Sequence, residues 1–262
     1  FKTIRLVGEG GFAKVFLCRD PELNRLVAVK VPKPHALVSA ESRRRFQREA
    51  YAAAVLSHPA IVPVFEIDST GPVSLIVSGY CEGSSLAAWI DDHQESITPK
   101  LTARIISQLA DAVEHAHRRG VIHRDLKPAN ILITVVDGKP VPKVIDFGIA
   151  KLLGETSAEH ATRTGMPMGT PLYMSPEQVS GEELDERTDV YLLAAILNEV
   201  VTGRPPHDGA SLMRRLHQAY RSAPKRYPGQ VPQGLVTILH RGLSRDPEKR
   251  YQSVADFSAA VA

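Results

Sequence analysis

Between two short apolar runs, Val121-Ile122 and Ile131-Leu132-Ile133, the chain carries His123-Arg124-Asp125-Leu126-Lys127-Pro128-Ala129-Asn130. A carboxylate, an ammonium and an amide thus fall within six residues, Asp125 to Asn130. The β-branched flanks favour strands, which places the polar residues on a loop between them. A carboxylate beside a lysine suits removal of a proton from a hydroxyl next to a phosphate: one takes the proton, the other offsets the anionic oxygens. An amide oxygen five residues on can help hold a divalent cation. His-Arg-Asp alone more often belongs to a buried structural loop. Lys127 and Asn130 at these spacings tip the balance towards chemistry.

Other elements must position that loop. The chain opens with a strand-like Phe1–Val7, followed by Gly8-Glu9-Gly10-Gly11-Phe12-Ala13-Lys14-Val15-Phe16-Leu17. A dinucleotide site would want a helix directly after the glycines. Val15 and Phe16 instead predict a second strand and a hairpin, whose backbone N–H groups can face phosphate oxygens. Val27-Ala28-Val29-Lys30-Val31 is an apolar strand interrupted by one lysine, and Arg43–Leu56 has helical composition with Glu49 well inside it. After His58-Pro59, two strands are expected at Ile61–Phe65 and Val73–Val77, and Ser78–Gly83 is turn-rich. Helices are expected at Leu86–Asp92 and at Ile97–Arg119, the latter with an apolar stripe (Ile105, Ile106, Leu109, Ala112, Val113, Ala116) and a stop at Gly120. His115 and His117 are two apart and point in different directions, which favours surface or packing roles over a metal pair. Asp137-Gly138 marks a tight hairpin, and the strand-like Lys143-Val144-Ile145 leads into Asp146-Phe147-Gly148. Ile149–Met168 is polar without periodicity and reads as a loop. Val190–Val201 is the most apolar helical segment, but Asn198 and Glu199 make it a core helix. Further helices are expected at Ser211–Ser222, Gly234–Leu243 and from Ser253 to the end.

The 262 residues can bury a substantial core, and 43% hydrophobic and 23% charged residues are ordinary for a soluble globular protein. A net charge of +3 is too mild to imply nucleic-acid binding, and the cluster Arg43-Arg44-Arg45 with Arg48 reads as a solvated helix face. Two isolated cysteines, Cys18 and Cys81, give neither a disulfide framework nor metal spacing, which points to a reducing, cytoplasmic setting. No stretch approaches the ~18 to 20 apolar residues of a membrane span. A start at Phe1 reads as a domain cut from a longer protein, whose membrane anchor, if it has one, lies outside this segment.

Taken in order, Gly8–Val15, Lys30, Glu49, Asp125–Asn130, Asp146–Gly148, Ser175–Glu177, Asp189 and Arg250 resemble the motif series of eukaryotic-type (Hanks-type) serine/threonine protein kinase catalytic domains. The resemblance covers essentially the whole chain, and Met174–Gln178 resembles bacterial members. It implies an α+β, bilobal protein-kinase fold: a small β-rich N-lobe with one main helix (1–78), a hinge (79–83) and a larger, mainly helical C-lobe (84–262). The implied reaction is ATP-dependent transfer of the γ-phosphoryl group to serine or threonine hydroxyls of proteins. By the same resemblance Asp125 orients the hydroxyl and accepts its proton, and Lys127 stabilises the γ-phosphate oxygens. Lys30 holds the α- and β-phosphates, oriented by Glu49 (Glu41, at the helix start, is the alternative). Nucleotide contacts fall to Gly8, Gly10, Gly11, Val15, Ala28, Lys30, Gly79, Cys81, Asn130 and Asp146. Asn130 and Asp146 are the Mg²⁺ ligands, with Mn²⁺ as an alternative ion.

Four departures or details refine this. Ala13 stands where the family has its third glycine, a tuning of the lid. Ser78 takes the gatekeeper position and implies a roomy back pocket. Thr170 together with Lys127 is the serine/threonine style. Arg124 would receive a phosphorylated loop, with Thr162 and Thr164 as autophosphorylation sites (Thr156 and Ser157 lie nearby). Glu177 should pair with Arg250, and Asp189 should bind the catalytic-loop backbone. Ser85 disfavours an arginine-directed substrate preference. The implied partners are protein substrates and the chain itself, with no nucleic acid and no membrane span in this segment. The rival readings are a pseudokinase acting as a nucleotide-binding scaffold, against which Lys30, Asp125, Asn130 and Asp146 all count, and a small-molecule kinase, which would not need the Gly169–Glu177 docking segment.

Overall fold

The structure, a computed structural model, describes residues 1–10, 13–34, 50–68, 74–147, 172–207, 227 and 231–262. The N-terminal part is a five-stranded antiparallel sheet. Its strands are β1 (Lys2–Glu9), β2 (Ala13–Asp20), β3 (Arg25–Pro32), β4 (Val64–Asp68) and β5 (Leu75–Gly79), in the order β1-β2-β3-β5-β4. Strand alternation divides the work of β3. Val27 and Val29 point to one face, where they pack with Cys18 and Val77 in a small core. Ala28 and Lys30 therefore point to the other. Register completes that second face: Val15 lies opposite Lys30 and Lys30 opposite Ile76, while Ala28 lies opposite Ser78. Ile76 packs there against Ala50, in the described end (50–54) of the helix expected around Glu49.

Two expected strands are displaced, for identifiable reasons. Ile61 and Val62 do not join the large sheet. Ile61 forms a parallel bridge with Val144, and Val62 N donates to the Val144 carbonyl. Pro63 follows, so sheet pairing starts only at Val64. β5 runs later than expected, through Gly79, whose N–H donates to Pro63 O. The large sheet thus reaches into the segment read as a hinge. At the end of that segment Gly83 has φ +154, and a Cβ there would lie 2.1 Å from the Ile133 carbonyl oxygen. Only glycine fits.

β6 (Ser84–Ser85), β7 (Ile131–Val136) and β8 (Lys139–Val144) form a second, three-stranded sheet. Asp137 (φ 50) and Gly138 (φ 71) make the two-residue hairpin between β7 and β8. β8 is longer than expected because Pro140 and Pro142 are tolerated in an edge strand.

The helices are built by recognisable signals. Ser85 caps α1 (Leu86–His93) through Ala88 N. Thr98 caps the 19-residue α2 (Pro99–His117), which therefore starts two residues later than expected. Gly120, at φ 71, closes the turn after it. α3 (Pro176–Ser180) is a single short helix. α4 (Glu186–Thr202), capped by Asp185 and ended by Gly203, is buried on nearly every side from Thr188 to Asn198. It is the central core helix, as its composition implied. α5 (Gln233–Gly242) and α6 (Val254–Val261) pack beside it. The helix expected at 211–222 lies outside the described residues. No helix among the described residues is long and apolar enough to cross a membrane.

One ion pair ties α3, α4 and the segment before α6. Glu177 and Arg250 are 4% and 1% exposed, and two parallel bonds of 2.7 Å join the carboxylate to Nη1 and Nη2. Arg250 spends its other three N–H groups on the carbonyls of Ser244, Arg187 and Arg245. Thr188 Oγ1 also donates to Glu177. All five guanidinium donors are satisfied, which makes burial of the charge tolerable. Burial raises the Glu177 carboxyl, but the Arg250 bonds more than offset this and hold it below the usual carboxylate value. Its stabilising contribution is therefore complete above the ordinary carboxylate pKa and is lost as pH falls through the lower folded value. Glu177→Ala should cost about 3–5 kcal/mol in denaturant unfolding, because Arg250 is left buried without its counter-charge. A loss below ~1 kcal/mol would show that water or rearrangement replaces the pair.

Candidate active site

The loop from Val121 to Asn130 is held from below by Asp189, a fully buried residue of α4. Asp189 Oδ1 accepts from Arg124 N and Oδ2 accepts from His123 N, both at 2.8 Å. His117, at the end of α2, adds a third contact, Nε2 to Oδ2 at 2.7 Å. This grip matters because Arg124 sits at φ 64, a left-handed conformation that costs a non-glycine residue about 1–3 kcal/mol. Burial pushes the His123 imidazole below its usual pKa and keeps the ring neutral. Its Nε2 faces the Ile145 carbonyl and so carries the proton, leaving Nδ1 to accept from Asp125 N. The ring also packs on Phe147 with centroids 4.6 Å apart.

Asp125, Lys127 and Asn130 converge on one point. Lys127 Nζ donates to both carboxylate oxygens of Asp125, at 3.2 and 2.9 Å. Asn130 Nδ2 donates to the Asp125 carbonyl and to its Oδ2, both at 2.8 Å. A turn of 3₁₀ helix, Pro128–Asn130, brings Asn130 back over Asp125. The Asn130 carbonyl then accepts from Ile145 N at 3.0 Å, which ties the loop to Asp146. Asp146 is itself left-handed (φ 58), and its Oδ1 meets Lys30 Nζ at 2.7 Å. Residues from β3, the loop and the end of β8 thus form one connected polar cluster.

Of the other expected site residues, Gly8 and Val15 face each other across β1 and β2, and Gly10 N closes the hairpin onto the Ala13 carbonyl. Ser78 Oγ donates to the Ala28 carbonyl at 3.4 Å. The Gly79 N–H is committed to Pro63, so that group is not free for a ligand. Burial raises the Cys81 thiol, which stays protonated. Gly11, Glu41, Glu49, Gly148, Thr156, Ser157, Thr162, Thr164 and Thr170 lie outside the described residues. The expected backbone grip of Asp189 is present. His117, read as a packing residue, is instead a buried partner of that carboxylate. The signal was its place four residues after Val113 on the apolar stripe, where a polar side chain needs a partner.

The sequence matches the protein kinase domain family over residues 1–258. The chain belongs to the protein kinase family. It is 38% identical over 263 residues to the serine/threonine-protein kinase PknB of Mycobacterium tuberculosis, covering 97% of this chain and 41% of that protein. It is 36% identical over 264 residues to PrkC of Bacillus subtilis, covering 100% of this chain and 40% of that one. The kinase domain therefore spans about two-fifths of the length of these curated relatives, and it sits with the bacterial Hanks-type serine/threonine kinases. The crystal structure of the M. tuberculosis PknI kinase domain is similar, with a TM-score of 0.75 at 29% identity over 99% of this chain and 94% of that one. The sheet-rich N-terminal part and helical C-terminal part are the two lobes of that fold.

A kinase domain works with ATP and a divalent cation, and the donor chemistry here fits both. Asn130 turns its N–H groups to Asp125, which leaves its amide oxygen for a hard cation. Asp146 adds a carboxylate close to the only lysine of β3. Asp189→Asn would place an amide NH₂ against backbone N–H donors that now meet a carboxylate. It should cost about 1–3 kcal/mol in unfolding and accelerate amide exchange at His123 and Arg124. Unchanged exchange there would mean that another group holds the loop.

Proposed function

We propose that this kinase domain transfers the γ-phosphoryl group of ATP to serine and threonine hydroxyls of protein substrates. The observation that carries the reading is the convergence of Asp125, Lys127 and Asn130, joined through Asn130 and Ile145 to the Asp146–Lys30 pair. Asp125 is oriented by two neighbours and is available to accept the proton of a substrate hydroxyl. Lys127, beside it, offsets negative charge on the transferring oxygens. Lys30 serves the α- and β-phosphates, with Glu49 as its proposed orienting partner. The backbone of Gly8, Gly10 and Gly11, the side chains of Val15 and Ala28, the carbonyl rather than the N–H of Gly79, and the backbone at Cys81 are assigned to the nucleotide. Asn130 and Asp146 are the proposed ligands of Mg²⁺ (or Mn²⁺), which when bound neutralises charge on the phosphates. Most of the acceleration then comes from positioning and electrostatics.

Residues 1–78 and 84–262 are proposed as the lobes and 79–83 as their link. Thr162 and Thr164 are proposed acceptors for autophosphorylation, with Arg124 as the receiving cation. The substrates of the longer protein to which such a domain belongs are proteins bearing serine or threonine acceptors, as the names of the curated relatives support.

The test is transfer of labelled γ-phosphate to a generic protein acceptor and to the domain itself, followed by phosphoamino-acid analysis and peptide mapping. Label on serine or threonine that disappears with Lys30→Met supports the reading, and nucleotide binding without label would favour a scaffold. Asp125→Ala should lower kcat by about 10²- to 10⁴-fold. Unchanged turnover would remove Asp125 from the chemistry. Ser78 also makes a separable statement: the domain should use ATP analogues enlarged on the purine, and Ser78→Met should abolish that use while sparing ATP.

A further inference from the structure

We propose that Gln178 is a positioning residue for Asp125, acting through the peptide that joins Arg124 to Asp125. The inference rests on the kinase reading only for its rate consequences; its geometric basis is independent. Gln178 lies in the first turn of α3, in the pattern Ser175-Pro176-Glu177-Gln178. Its Oε1 accepts from Ser175 N at 3.2 Å, closing the helix N-terminus as a capping box does. Its Nε2 donates to the Arg124 carbonyl at 2.8 Å, across 54 residues of sequence. Only one orientation of the amide satisfies both contacts. A flipped amide would set NH₂ against N–H and oxygen against carbonyl.

The receiving carbonyl belongs to the one peptide that places Asp125. On the far side of that peptide, Asp125 N donates to the His123 carbonyl at 2.9 Å and approaches His123 Nδ1 at 3.3 Å. Arg124 N is held by Asp189, and Arg124 itself is left-handed. The Arg124–Asp125 peptide plane is therefore pinned at its N–H by His123 and at its C=O by Gln178. With the Gln178 donor gone, the plane keeps only its hold at the N–H, and any rotation beside the left-handed Arg124 carries the Asp125 carboxylate out of line with Lys127 and Asn130. The same amide joins α3, which begins at the end of the proposed substrate-docking segment Gly169–Glu177, to the catalytic loop. Docking and chemistry would then share one hydrogen bond.

Two substitutions separate the halves of this amide. Gln178→Glu keeps an oxygen for the Ser175 N–H, a good capping residue at that position, but removes the donor to Arg124. Gln178→Lys keeps a donor and gives up the cap. In Gln178→Glu, kcat should fall about 10- to 100-fold with KM for ATP within about 2-fold of the unsubstituted domain and melting little changed, because Asp125 is misplaced while the nucleotide contacts persist. Gln178→Lys should keep kcat within about 3-fold despite a weaker helix start. Hydrogen exchange over His123–Asp125 should quicken in the Glu variant only. Equal kcat losses in both variants, or unsubstituted rate and exchange in Gln178→Glu, would overturn the proposal. If Gln178→Glu melts early, the kcat difference from Gln178→Lys still decides, since that variant also weakens α3. Exchange needs no catalysis, so a domain without transfer activity would sink the kinase reading while leaving this inference tested.

Discussion

Asp189 has no contact with solvent, and its two oxygens accept hydrogen bonds from two successive backbone N–H groups while a histidine closes on one of them. A carboxylate so placed is stable because three donors meet it. That requirement makes it a strong constraint on its surroundings. The loop must present His123 N and Arg124 N together, which forces Arg124 into a left-handed turn. The turn in its place sends Asp125 out towards Lys127 and Asn130. Geometry at the chemical end of the loop is thus set by a buried charge on the opposite side of the backbone.

The same logic recurs one layer out. Arg250 is buried with all five donors filled, and Glu177 lies against it from α3. This pair locates α3, and α3 carries Gln178 to the Arg124 carbonyl. Two buried charges on well-packed elements therefore brace a loop that is also anchored in the core by Leu126. α4 makes both braces possible. Its nearly all-round burial fixes Asp189 in the core, and Thr188 and the Arg187 carbonyl meet the Glu177–Arg250 pair. On the other side of the cluster, strand alternation alone turns Lys30 towards Asp146 while Val27 and Val29 turn to the sheet core.

Much of this was legible because it is local. Periodicity located α2 and apolar composition α4, Asp137-Gly138 announced its hairpin, and Gly120 its helix stop. The spacing from Asp125 to Asn130 follows from one turn and one loop. The displaced strands were not legible, because Ile61-Val62 and Val73–Val77 have strand composition whichever partner they choose. For Ile61-Val62 the choice fell to Val144, a residue distant in sequence. His117 and Gln178 were misjudged or passed over for a related reason. The apolar stripe of α2 and the Ser-x-x-Gln cap were both readable, but their partners, Asp189 and the Arg124 carbonyl, are brought near only by packing.

Sequence by itself determined the class of chemistry, the order of the elements and the identity of the polar residues that meet, since motif spacing and side-chain period are properties of neighbouring residues. Tertiary structure alone decided which backbone groups those residues satisfy: Gly79 N–H goes to Pro63, Arg124 N–H to Asp189 and the Arg124 carbonyl to Gln178. A buried donor or acceptor takes the partner that packing delivers, and packing is a property of the whole core.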